Sequence, residues 1–172
     1  MKTKELKNKN TGFTLIETLV YVAIFSIFVG SLVYFLNLMT TSRINNQITL
    51  EVNNQGNDVI RIITQSVRNA DNIDSPLISS TSSSLELLTS NPTTSPTIFS
   101  EIDGVLYITE GGGSPVALTN NKVAISNLVF SNLSLPGTPG SIQVRFTMSS
   151  IVSNPNYINK LVNFYGTGTI KK

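Results

Sequence analysis

The sequence predicts an α+β protein: one long N-terminal helix whose second half lies on a C-terminal antiparallel β-sheet. Three observations carry this. Residues 18–36 are uncharged and dominated by Leu, Val, Ile, Phe and Tyr, long enough at about 1.5 Å per residue to cross a hydrocarbon core. Beyond them Ile44, Ile48, Val52, Val59, Ile63 and Val67 recur at spacings of four or seven, one stripe of a helix. In "SIQVRFTM", Ile142, Val144, Phe146 and Met148 alternate with Gln143, Arg145 and Thr147, the period of a half-buried strand.

The helix is preceded by a basic tail. Of the twelve Lys and Arg, four (Lys2, Lys4, Lys7, Lys9) fall in the first ten positions. Without these and Glu5, eight basic and nine acidic residues remain (12 − 4 and 10 − 1). That near-neutral balance does not favour nucleic acid as a partner. Between Phe13 and Ser42 the sole charge is Glu17. Basic residues before the span and only Arg43 close behind it orient the N-terminus to the cytoplasm. Tyr21 and Tyr34 suit the two membrane interfaces. A secretory signal peptide has an apolar core of about 7–15 residues ending in small residues; this run is longer, and no such site follows Leu38 and Met39.

The stripe continues to about Asp71, with Ile60 and Ala70 beside it and Gly56 as a tolerated weak spot. The stripe does not hold an a/d alternation, so a sheet, not a coiled coil, is the expected partner. "SPLISSTSSS" and "TSNPTTSPT" read as loops. Strands are predicted over Leu85–Thr89, Thr97–Ile102, Val105–Thr109, Val116–Leu118, Val123–Phe130, Ile142–Met148 and Lys160–Tyr165. Asp103-Gly104 offers a tight hairpin turn and "EGGGSP" a looser one.

The chain contains no Cys and no His. Thiolate and imidazole chemistry, disulfides and Cys/His metal sites are excluded within it, and a Ser-His-Asp arrangement with them. Glu101, Asp103 and Glu110 fall short of the six to eight oxygens that Ca²⁺ takes, and read as solvated charges at turns. Gly111, Gly112 and Gly113 are followed by strand-like residues, whereas a phosphate-cradling loop opens a helix. No spacing supports a Ser-Lys pair with Lys122 or Lys160. No catalytic residue, cofactor or metal site is expected.

"KNKNTG/FTLIETLV" resembles the leader and first helix turn of type IV prepilins and pseudopilins: a short basic leader, Gly12, the apolar Phe13, and Glu17 four positions on. The resemblance implies a pilin-like fold, cleavage between Gly12 and Phe13 by a prepilin peptidase on the cytoplasmic side, and methylation of the new Phe13 amine by the same enzyme. It implies assembly with other pilin subunits on a platform membrane protein, Glu17 of one subunit pairing with Phe13 of its neighbour. The precursor would sit in the inner membrane and its bilayer before joining a cell-surface or periplasmic filament. Physical reasoning runs alongside. A carboxylate at mid-bilayer costs roughly 2.5–3.5 kcal/mol, less near an interface. Cleavage supplies an ammonium one helical turn away, and a mis-staggered subunit would leave the acid unpaired, so the pair specifies register. Glu17 as a simple helix cap is the plainer alternative, but capping accounts for neither Gly12 nor the leader.

On this reading residues 1–12 are the leader, 13–39 the membrane and filament-core helix, 40–71 its amphipathic continuation, and 72–172 the β domain. "VIRIITQSVRNADNI" resembles the matching segment of J-type minor pseudopilins and W-type minor pilins, with Arg68, Asn69 and Ala70 before a turn. Two features depart from the family. Many pilins carry a proline in the apolar helix, whereas none precedes Pro76 here; Gly30 is the weak point, and a continuous helix is expected. A cysteine-closed C-terminal loop cannot form. The expected function is a minor pilin or pseudopilin. The alternatives are a single-span anchored binding module that never assembles, and a secreted enzyme whose product lacks everything up to about Met39.

Overall fold

The computed structural model describes residues 12–152, 154, 155 and 157–171. The expected leader, up to Thr11, and the terminal Lys172 lie outside the described residues. The chain divides into two compact units, Met1–Arg43 and Ile44–Lys172.

The first unit is built from the start of α1 (Leu15–Asn69). Thr14 precedes the helix as its N-cap: its carbonyl accepts from the Thr18 N–H at 3.2 Å, and its hydroxyl from the Glu17 N–H at 3.4 Å. An 18-residue window of the helix reaches a mean hydropathy of 2.4, with none of its residues buried by the protein itself. Ser26, Thr40 and Thr41 turn their hydroxyls back to carbonyls four residues earlier (2.8, 2.9 and 3.0 Å), which satisfies polar groups that an apolar surrounding would penalise. In the single chain the helix runs through Gly30 without a break.

In the second unit α1 presents Val52, Gly56, Val59, Ile63 and Val67 as its buried line. All seven predicted strands are present, Thr97–Ile102 with the predicted bounds and the others with one or both ends moved by one to four residues, and two were not foreseen. They are β1 (Asn72–Ser75), β2 (Thr81–Ser82), β3 (Leu85–Leu88), β4 (Thr97–Ile102), β5 (Val105–Glu110), β6 (Val116–Ala117), β7 (Val123–Asn132), β8 (Ser141–Ser150) and β9 (Leu161–Thr169). All pairings are antiparallel. The single sheet expected from the hairpin series is corrected to two, ordered β1-β3-β4-β5-β6 and β2-β7-β8-β9. The reason lies after β6. The Thr119 hydroxyl accepts the Leu106 N–H at 3.2 Å and takes over from a strand partner, so the first sheet ends and β7 opens another. The two meet where the Ile125 N–H donates to the Gly104 carbonyl at 2.8 Å.

One core joins these layers: Leu85, Leu87, Phe99 and Leu106 of the first sheet, Phe130, Ile142, Val144, Phe146 and Met148 of the second, and the α1 line. The β8 alternation holds as predicted. The β7 alternation breaks at a bulge between Ser126 and Val129, where Asn127 adopts a positive φ of 54° and resets the phase so that Leu128 and Phe130 face inward. The Asp103-Gly104 turn has positive φ at both residues (51° and 79°), as a two-residue hairpin matched to strand twist requires.

Gly56 corrects the sequence reading. It is no tolerated weak spot: a Cβ there would fall inside 3.0 Å of the Phe164 ring. The ring occupies the space that the missing side chain leaves, and stacks on Phe146 with centroids 5.3 Å apart. Gly168 lets β9 approach the α1 backbone at Thr64 in the same way.

Candidate processing and assembly site

The geometry around Gly12, Phe13 and Glu17 follows from where the helix starts. Gly12, Phe13 and Thr14 precede the first helical residue, so the Gly12–Phe13 peptide is outside the helical hydrogen-bond ladder. Gly12 is exposed, and a Cβ built on it meets nothing within 4 Å. Nothing in the fold of the described residues demands glycine there. Phe13 is 73% exposed, and its ring meets that of Tyr21 edge-on, with centroids 6.1 Å apart.

Glu17 sits at the third helical position after its Thr14 cap. Thr-Leu-Ile-Glu therefore has the spacing of a capping box, and the half in which the cap hydroxyl accepts the Glu17 N–H is formed. The Glu17 carboxylate points along the helix, where Oε1 accepts from the Tyr21 hydroxyl at 3.3 Å. Among residues 12–40, Glu17 alone is half-buried, the others being exposed; Ile16, Val20 and Tyr21 flank it. The one charge of this helix half is thus its most covered side chain. Its position in the first turn also suits the positive end of the helix dipole.

Among the described residues, the apolar side chains around this site are left largely uncovered. Leu15, Ile16, Leu19, Ile24, Phe25, Ile27 and Phe28 are each at least 60% exposed. Monomeric soluble proteins rarely show a contiguous apolar surface of this extent. The surface calls for lipid or for other apolar helices.

The other charged candidates are engaged in turns. Glu101 Oε1 accepts the Gly104 N–H at 2.6 Å and braces the β4–β5 hairpin. Asp103 occupies the corner of that hairpin. The Gly111 and Gly113 N–H groups donate to the carbonyls of Pro96 and Glu110 at 2.8 and 3.0 Å, so they are spent on the chain's own turn. Among the described residues no group of three His, Cys, Asp or Glu side chains is placed to hold a metal ion.

Two participants escaped the sequence reading. Thr14 was legible in the Thr-x-x-Glu spacing. Tyr21 was assigned to the membrane interface alone, although its four-residue distance from Glu17 signals a shared helix face.

Comparison with protein families matches residues 7–33 to the prokaryotic N-terminal methylation motif. The match runs from Lys7 to Val33, holds the Gly12–Phe13 bond, Glu17 and Tyr21, and ends within α1; the β-strands lie outside it. No curated protein and no solved structure matches the chain. With a long apolar N-terminal helix and antiparallel sheets packed on its second half, the chain carries the type IV pilin and pseudopilin signature on a pilin-like α+β frame.

Proposed function

We propose that the protein is a structural subunit, a minor pilin or pseudopilin, of a type IV pilus or a type II secretion-like filament. A prepilin peptidase hydrolyses the Gly12–Phe13 amide, leaving a Gly12 carboxylate on the leader and an ammonium on Phe13, which the same enzyme methylates. The reading assigns residues 1–12 to the leader, 13–39 to the membrane and filament core, 40–71 to the amphipathic helix, and 72–172 to the displayed β domain. The precursor spans the inner membrane with its N-terminus inside, and a platform membrane protein and other pilin subunits receive it. The observation that carries this reading is the methylation motif at residues 7–33, set on a helix whose first half leaves its apolar side chains exposed among the described residues.

The geometry supports each step physically. A peptide bond ahead of the helix can be bound in extended form without unwinding a turn. Gly12 lies in open space, so the constraint on its size is best attributed to the peptidase. Glu17 is the acid that a neighbour's Phe13 ammonium would seek: unpaired in an apolar bundle it is costly, and paired it fixes the stagger.

Glu17→Ala tests the proposal. The variant is expected to be cleaved like wild type, read by intact mass, while its amount in sheared filaments falls at least tenfold. Unchanged recovery in filaments would overturn the register role and favour a single-span anchored module.

A further inference from the structure

We propose that Tyr21 is the provisional partner of Glu17: its hydroxyl holds the carboxylate while Phe13 is still joined to Gly12, and yields it when an ammonium arrives. The inference rests on the processing reading above for its second half only. Its first half rests on geometry.

Before cleavage, the Phe13 nitrogen is an amide. It has one N–H and no charge, and cannot serve Glu17 as a counter-ion. The nearest basic residues of the sequence are Lys9 on the leader side and Arg43 on the other, more than six helical turns away in the second case. A carboxylate entering an apolar phase must then find neutral donors or lose its charge. The structure supplies one: the Tyr21 hydroxyl donates to Glu17 Oε1 at 3.3 Å, while the Thr14 hydroxyl accepts the Glu17 backbone N–H at 3.4 Å and only sets the helix start. Among the described residues the tyrosine is the only hydrogen-bond donor to the carboxylate, and the bond is long for O–H···O⁻, which prefers about 2.5–2.7 Å. A long bond is readily exchanged for an ammonium.

The position of Phe13 makes the exchange local. Its ring rests against the Tyr21 ring at 6.1 Å, so the residue that gains the charge already touches the residue that holds the acid. Tyr21 thus lies between the processing position and the register position. It is a positioning residue: it acts through Glu17.

The test uses the full-length precursor, labelled with carbon-13 glutamate in lipid nanodiscs, and the same chain after cleavage by the peptidase. The Glu17 carboxyl resonance is assigned by its loss in Glu17→Gln. Tyr21→Phe keeps the ring and deletes the donor; Tyr34→Phe is the control for loss of a phenol elsewhere on the helix. The expected result is a shift of the Glu17 resonance in the Tyr21→Phe precursor, none in Tyr34→Phe, and a much smaller shift once the leader is removed. An unmoved resonance in the Tyr21→Phe precursor overturns the proposal, as does an equal shift before and after cleavage. Failure of the processing reading is separate and is read by mass: a chain that keeps its leader beside active peptidase overturns that reading, while the precursor shift still upholds the Tyr21–Glu17 bond.

Discussion

Replacing Gly56 by alanine pits local propensity against packing. Alanine in a helix interior is favoured over glycine by about 0.8–1.0 kcal/mol, so a residue that merely tolerated glycine would gain stability. Here the added methyl would sit inside 3.0 Å of the Phe164 ring, against ordinary contacts of 3.4–4 Å. Phe164 is 9% exposed and stacked on Phe146 at 5.3 Å, so the ring cannot swing into solvent. Overpacking of this kind costs typically about 1–3 kcal/mol, and disturbing the aromatic pair adds about 0.5–1.5 kcal/mol. After subtracting the propensity gain, Gly56→Ala is expected to destabilise the second unit by about 1–3 kcal/mol. That unit has 129 residues (172 − 44 + 1). At about 2.1 cal/mol/K per residue its unfolding entropy is roughly 270 cal/mol/K, so a loss of ~2 kcal/mol lowers Tm by about 7 °C. The assay is thermal unfolding of the full chain in detergent micelles, followed by near-ultraviolet circular dichroism of the tyrosine and phenylalanine environment. Phe164→Leu in the Gly56→Ala background should recover part of the loss, giving a non-additive double-mutant cycle. A Tm at or above wild type for Gly56→Ala would refute the close helix–strand contact.

Asn132→Ala removes a buried amide that donates to the Pro76 carbonyl at 2.7 Å and accepts the Ser134 N–H at 3.0 Å. Leaving two buried groups unmatched should cost about 2–4 kcal/mol, measured by the same melt, with faster amide exchange at Ser134. Asn120→Ala deletes a 2.6 Å bond to Glu51 Oε1 that ties α1 to the loop before β7. Both residues are partly exposed, so about 1 kcal/mol is expected after screening, with increased exchange at Lys122, whose N–H also loses Asn120 Oδ1 at 3.0 Å.

The elements that were legible in sequence share one property: their side-chain period survives without help from elsewhere. The stripe through Val52, Val59, Ile63 and Val67, the alternation of β8 and the Asp103-Gly104 turn all encode their geometry locally. The second sheet was not legible because sheet membership is settled by non-local partners. The short β2, Thr81–Ser82, lies in a serine-rich run of low strand propensity and exists by pairing with Ser131 and Phe130. The bulge at Asn127 hides the β7 alternation by shifting its phase. Gly56 was misread because propensity arguments see the helix alone, whereas its role lies in the ring on the facing strand. At the candidate site, Gly12, Phe13 and Glu17 stood out as a motif. Tyr21 did not, since an aromatic at that depth has an adequate explanation in the membrane interface, and only the 3.3 Å contact distinguishes the two roles.

The central claim is that Glu17 acquires its ionic partner by removal of the leader. The N-terminal residue and intact mass of the protein extracted from cell membranes and filaments test it most directly. The account predicts a chain beginning at Phe13 and carrying one methyl group on its amine; a product that retains Met1 through Gly12 would contradict it.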